Sequence, residues 1–199
     1  MATDLRTLLE NVQRCYDFRD KSVIHVGAGS GQLVGYAAAA RSVLAVDRAP
    51  EAIRRLGVVL REQGLLRRVI VFRGDFAAVR TRADVGFFEF TLHQVANPDA
   101  VLVHARALAP ETLIVEPAPG SRWAWYCGEE GQVERSWEAV GRHAIAREET
   151  FMGAQQFRDY AELLAKVGAL GEPTLGRIAE FRERQGVAIP MPYRIVLLR

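Results

Sequence analysis

The chain has 199 residues, enough for one core and short for two, with a hydrophobic fraction of 49% and a charged fraction of 25%. Its net charge is +2, and its 26 basic residues, all arginine apart from Lys21 and Lys166, are interleaved with 24 acids. Such mixing describes a solvated surface and argues against a phosphate-tracking stripe, so nucleic acid is not expected as a partner; no run approaches the ~20 apolar residues of a membrane span.

Leu5, Leu8, Leu9, Val12 and Tyr16 recur at helical spacing and predict an amphipathic first helix. Val23–Val26 is a short apolar run that ends at glycines, as a buried strand does, and "QLVGYAAAA" predicts a small-residue helix lying close to a sheet. Ser42–Val46 predicts a second strand ending at Asp47, and Pro50 opens a helix with Ile53, Leu56 and Leu60 inward. Val69–Phe72 and Val85–Phe90 predict two more strands. Asn97 and Pro98 read as the cap and first residue of a helix that leads to a strand around Leu113–Val115. Residues 119–154 read as irregular and tryptophan-rich, a substrate lid or binding loop within one domain spanning 1–199. Phe157, Tyr160, Leu164 and Val167 predict a late helix stopped by Gly168, Thr174–Phe181 a strand, and Tyr193–Arg199 a closing strand. Strands alternating with helices predict a single-domain α/β fold: a seven-stranded, mostly parallel sheet with helices on both faces and an antiparallel last strand. Cys15 and Cys127 form no CxxC pair, and "MATDLRTLLEN" carries no leader pattern, so free thiols and a cytoplasmic location are expected.

The chemistry concentrates at "VIHVGAGSGQL", residues 23–33. Glycines at a strand-to-helix turn permit positive φ and close approach of a ligand, and in a doubly wound sheet ligands sit at the carboxyl ends of the strands. Asp47, at the end of the next strand, can accept hydrogen bonds from both hydroxyls of a ribose. The pattern Gly27, Gly29, Gly31 is GxGxG and not GxGxxG, which suits a nucleoside without a pyrophosphate. An NAD(P)-dependent oxidoreductase and a non-catalytic nucleoside-binding or partner-regulating module remain as alternatives.

"VIHVGAGSG", "VLAVD", "RGDF" and "LHQVANPDAVLVHARALAPETLIVEP" fall in order at intervals that resemble the class I S-adenosylmethionine-dependent methyltransferases, in particular their small-molecule members. The resemblance covers about Val23 to Pro117. It implies S-adenosyl-L-methionine as cofactor, with Gly27, Gly29 and Gly31 beneath its methionine and ribose parts and Asp47 on the ribose. Asp75 would accept from the adenine amino group, the Phe76 N–H would meet an adenine nitrogen, and Phe90 to His93 would line the methionine end. His25 stands where the family usually carries an acid that helps bind the cosubstrate amino group; it reads either as a contact to that group or as a core histidine bonded to backbone.

His93 is the first candidate for a general base, since histidine titrates near neutral pH, and Glu89 the second; packing or capping roles compete for both, and for Glu116 at the end of the fifth strand. Trp123, Trp125 and Tyr126 are candidates to wall a small-molecule substrate, or else to anchor their segment or form a homodimer contact. No GxSxG, HExxH, P-loop lysine or metal-ligand cluster appears, so no metal is expected.

Overall fold

The computed structural model describes residues 5–199. Helix α1 (Leu5–Cys15) buries Leu8, Val12 and Cys15. Strand β1 (Ser22–Val26) enters the glycine turn, and β2 (Ser42–Asp47), α2 (Pro50–Glu62), β3 (Val69–Arg73) and β4 (Val85–Glu89) follow. Helix α3 (Pro98–Leu108) starts as predicted, with the Asn97 side chain accepting from the Ala100 N–H at 3.0 Å, and leads to β5 (Glu111–Pro117). The rest comprises α4 (Arg122–Cys127), α5 (Glu130–Val140), β6 (Ile145–Phe151), β7 (Ala154–Asp159), α6 (Tyr160–Val167), α7 (Thr174–Ile178), β8 (Gln185–Pro190) and β9 (Tyr193–Leu198).

The main sheet has seven strands in the order β3-β2-β1-β4-β5-β9-β6, and β9 alone runs antiparallel to its neighbours. The predicted α/β class and the antiparallel last strand are therefore observed. One apolar cluster, including Val12, Tyr36, Leu56 and Phe87, covers one face; another, including Phe76, Phe88, Leu102 and Val140, covers the other. Strand order reverses between β1 and β4, so their carboxyl ends frame the crevice where such sheets bind ligands. A third cluster, including Trp123, Phe157, Leu163, Phe181 and Ile189, lies in α4, α6 and the separate β7–β8 pair with the turns beside it. Among the described residues no helix is long and apolar enough to cross a membrane.

Four predicted elements are corrected. The helix expected over residues 32–40 is a short 3-10 turn, Val34–Ala38, that includes Gly35, whose lack of a side chain lets Leu9 of α1 approach. Thr174–Phe181 is helical: Thr174, Ile178 and Phe181 are the buried positions, a spacing of four and three that belongs to a helix. Residues 119–154 are not irregular but form α4, α5 and β6; β6 escaped notice because its sequence, IAREETF, is mostly exposed on a sheet edge. In α6 the inward residues are Leu163 and Val167, with Leu164 exposed and Phe157 on β7.

Of the three loop glycines, two are required by packing. Gly27 has φ +73°, and a Cβ there would fall 1.6 Å from Thr91 Oγ1. Gly31, at φ +81°, faces Leu56 Cδ1 at 2.7 Å. Gly29, at φ +51°, meets nothing closer than the Gly27 carbonyl at 3.8 Å, so it presents open backbone. Gly29→Ala is expected to add only a left-handed backbone cost of about 1–3 kcal/mol, roughly 2–12 °C in Tm for a chain of this size. Gly27→Ala is expected to fall well below that in a thermal scan, because the overlap with Thr91 is added; equal Tm values would show that Thr91 does not set this turn.

Candidate functional site

Two cavities adjoin at the switch point and share Gln94. The first, about 340 Å³, is lined by Gly27, Asp47, Asp75, Phe76 and Thr91 among others. Asp47 Oδ2 accepts from the Gly29 N–H and Oδ1 from the Ala49 N–H, both at 2.9 Å. The carboxylate thus fixes the glycine turn against β2, and each oxygen keeps further acceptor capacity for a ligand hydroxyl. Asp75 caps a 3-10 turn through the Ala77 N–H at 2.9 Å and leaves its side chain 61% exposed. Phe76 packs edge-on against Phe88 and His104, at ring-centroid distances of 5.6 and 5.0 Å.

The second cavity, about 330 Å³, is lined by Glu89, Phe90, His93, Trp123, Glu129 and Lys166 among others. Phe90 turns the chain out of β4 at φ +43°, a left-handed conformation uncommon outside glycine. Beyond it, Glu116 at the end of β5 is fully buried and accepts from the Thr91 N–H at 2.7 Å and from the Leu92 N–H, while its other oxygen accepts from His93 Nδ1. His93 Nε2 is left 3.8 Å from Glu129 Oε2. Burial is the largest influence on His93 and opposes its charge, but the Glu116 hydrogen bond and the fields of Glu116 and Glu129 outweigh it and hold the imidazole above its ordinary 6.5. Glu129 is pushed above its ordinary 4.5, first by burial and also by Glu116, against the pull of His93 and Lys166. Cys127 lies in the same wall, where burial pushes its thiol to about 12 and makes it a poor nucleophile.

His25 lines neither cavity. It is fully buried and stacked on Phe87 at 4.6 Å, with Nε2 3.0 Å from Glu89 Oε2 but out of line for a hydrogen bond, so both ring nitrogens lack a hydrogen-bond partner. The expected backbone bond is not made, and Glu89 stands at the cavity in place of His25. The three aromatic candidates separate. Trp123 lines the cavity of His93, stacked on Phe157 at 5.8 Å. Trp125 lies between the Arg122 and Arg177 guanidinium groups, 5.1 and 4.6 Å from its ring, on a different cavity. Tyr126 is buried and donates to Glu180. Sequence reasoning missed Glu129 and Lys166: Glu129 follows the left-handed Gly128 that ends α4, and Lys166 comes from α6, distant in sequence.

No family model and no curated protein matches the chain by sequence. Solved structures do match in shape. A putative methyltransferase from Bacillus halodurans C-125 superposes with a TM-score of 0.71 at 13% identity, covering 97% of this chain and 98% of that one. The fold is that of the class I S-adenosylmethionine-dependent methyltransferases. Magnesium protoporphyrin IX methyltransferase from Synechocystis PCC 6803, solved with bound S-adenosylhomocysteine, shares this methyltransferase fold with a TM-score of 0.60 and 12% identity over 96% of this chain and 80% of that one. A putative RNA methyltransferase from Pyrococcus horikoshii does so with a TM-score of 0.58 and 20% identity over 98% and 84%.

Protonated His93 favours the folded state, because its folded pKa lies above the ordinary 6.5. That contribution is complete below about 6.5 and is lost as pH rises through the folded value. In Glu116→Gln the imidazole loses its hydrogen-bonded carboxylate, so NMR titration is expected to give a lower His93 pKa than in the parent. An unchanged value would show that Glu116 does not hold the ring.

Proposed function

We propose that the protein transfers a methyl group from S-adenosylmethionine to a small-molecule acceptor. The observation that carries this reading is the pair of adjoining cavities, one lined by Gly27, Asp47 and Asp75, the other by His93 and Glu89. The residues suit the cofactor: Gly29 offers open backbone, Asp47 has spare acceptor capacity, and Asp75 and Phe76 border the same groove. Bound there, the cofactor would supply a methyl group already activated by its sulfonium.

In this reading Asp47 accepts from the ribose hydroxyls, while Asp75 and the Phe76 N–H meet the adenine. Glu89 takes the cosubstrate amino group and His25 backs that carboxylate from the core. Phe90 closes the methionine end. The protein's main tasks are then alignment and exclusion of water, with Trp123 as one wall. His93 is the proton acceptor if the nucleophile must lose a proton. Trp125 and Tyr126 act at one remove, holding α4 and so the position of Trp123. A cavity of about 330 Å³ suits a small molecule, which favours that acceptor class over a nucleic acid.

S-Adenosylhomocysteine at 100 times its Kd is expected to add about 2.7 kcal/mol, which is a Tm rise of roughly 5–11 °C. NAD is expected to add none. Asp47→Ala should weaken S-adenosylhomocysteine binding by on the order of 10²-fold in calorimetry, since charge-assisted hydrogen bonds are lost. A Tm rise with NAD and none with S-adenosylhomocysteine overturns the reading in favour of an oxidoreductase.

A further inference from the structure

The charges around the second cavity are unbalanced. Glu89 and Glu129 line it and Glu116 lies directly behind His93, against one lysine, Lys166, exposed at the rim. Glu116 is satisfied by two backbone N–H groups and the imidazole. The other two carboxylates face imidazoles, Glu89 at 3.0 Å from His25 Nε2 and Glu129 near His93, with no hydrogen bond to either. Glu89 is about nine-tenths buried, with its side chain 10% exposed, and its Oε2 has no hydrogen-bond partner. Glu129 has its side chain 26% exposed, and its nearest cationic group, His93 Nε2 at 3.8 Å, is beyond hydrogen-bond reach. A partly buried carboxylate without a hydrogen bond is costly, and a cationic ligand that donates one relieves that cost; with Glu89 facing the cosubstrate amino group in the proposed reading, Glu129 is left for the acceptor. The remaining walls are apolar or aromatic, among them Leu8, Trp123, Val167, Leu170 and Met191.

We infer that the acceptor is an amine on an apolar body, anchored as its ammonium by Glu129 and relieved of a proton by His93. The inference rests on the methyl-transfer reading for the donor. One ammonium proton passes to His93 Nε2, while Nδ1 stays bonded to Glu116. The freed nitrogen lone pair then forms the nitrogen–carbon bond as the methyl carbon–sulfur bond breaks. Positive charge moves from sulfur to nitrogen, and a neutral thioether is left. The acidic walls therefore face a cation before, during and after transfer, and the aromatic ring of Trp123 offers a further attraction to it. A hydroxyl acceptor would instead develop negative charge beside Glu129 and Glu89, which these walls oppose.

Calorimetric titration with 2-phenylethylamine, 2-phenylethanol and phenylacetate tests this, because the three share a body and differ in charge. The amine is expected to bind about tenfold or more tightly than the other two. Glu129→Gln should abolish that preference. Lys166→Gln, a change at an exposed position of α6, should strengthen amine binding, and it carries the test if Glu129→Gln fails to fold. Equal or tighter binding of the alcohol or the acid, a preference that survives Glu129→Gln, amine binding unmoved by Lys166→Gln, or no binding by any of the three overturns the inference. S-Adenosylhomocysteine is titrated into the same samples. Its binding without an amine preference sinks this inference alone; an amine preference without its binding supports the cation site and sinks the methyl-donor reading.

Discussion

At the end of β1, Gly27 and Thr91 occupy space that no side chain at 27 could share: a Cβ would lie 1.6 Å from the threonine oxygen. The two cavities take their places around this contact. For Thr91 to press on the glycine turn, the chain must leave β4 through Phe90 at φ +43°. Left-handed backbone at a bulky residue costs free energy, and surrounding bonds must hold it there. Glu116 supplies them, accepting from the N–H groups of Thr91 and Leu92. The same carboxylate receives His93 Nδ1. Turn, strand exit and imidazole are therefore one connected arrangement, and His93 owes its orientation to the Glu116 carboxylate on the neighbouring strand.

Electrostatics divides the arrangement in two. Around Glu116 every strong demand is met, so the buried carboxylate is a fixed point. Around Glu89 it is not: His25 Nε2 lies 3.0 Å away without a hydrogen bond, and the Tyr36 hydroxyl is also unpartnered. Burial and the field of Glu89 push that tyrosine well above its ordinary value, so it stays neutral and can only donate or accept a hydrogen bond. Satisfied polar groups make scaffolds, whereas unsatisfied ones beside a cavity are where a ligand can add most.

The sequence made the first half legible because that half is local. Gly27, Asp47 and Asp75 each lie just at or beyond the end of a short apolar strand, and alternation with amphipathic helices places all three on one edge of the sheet. The second cavity was hidden because its walls come from α1, β4, β5, α4, α6 and the turn before β9, which no spacing rule connects. His93 and Trp123 could be singled out by type and position, but the bond from His93 to Glu116 is made across 23 residues and its approach to Glu129 depends on how α4 ends. Trp125 and Tyr126 neighbour Trp123 in sequence but do not line the same cavity, because successive residues of a helix point in different directions. β6 went unseen because an edge strand paired on one side needs no apolar run.

This division also accounts for a shared shape at 12% to 20% identity. The groove lined by Gly27, Asp47 and Asp75 uses a carboxylate that already serves the glycine turn, so few side chains suffice to keep it. The second cavity is lined from several segments, of which α4, α6 and the β7–β8 pair pack against one another through their own cluster of Trp123, Phe157, Leu163 and Ile189. That cluster stands beside the two that sandwich the sheet, and Phe90, next to Thr91, packs against both it and one of those two. The fold places the groove at the switch point, while the side chains of the second cavity, not the fold, carry the information about its ligand.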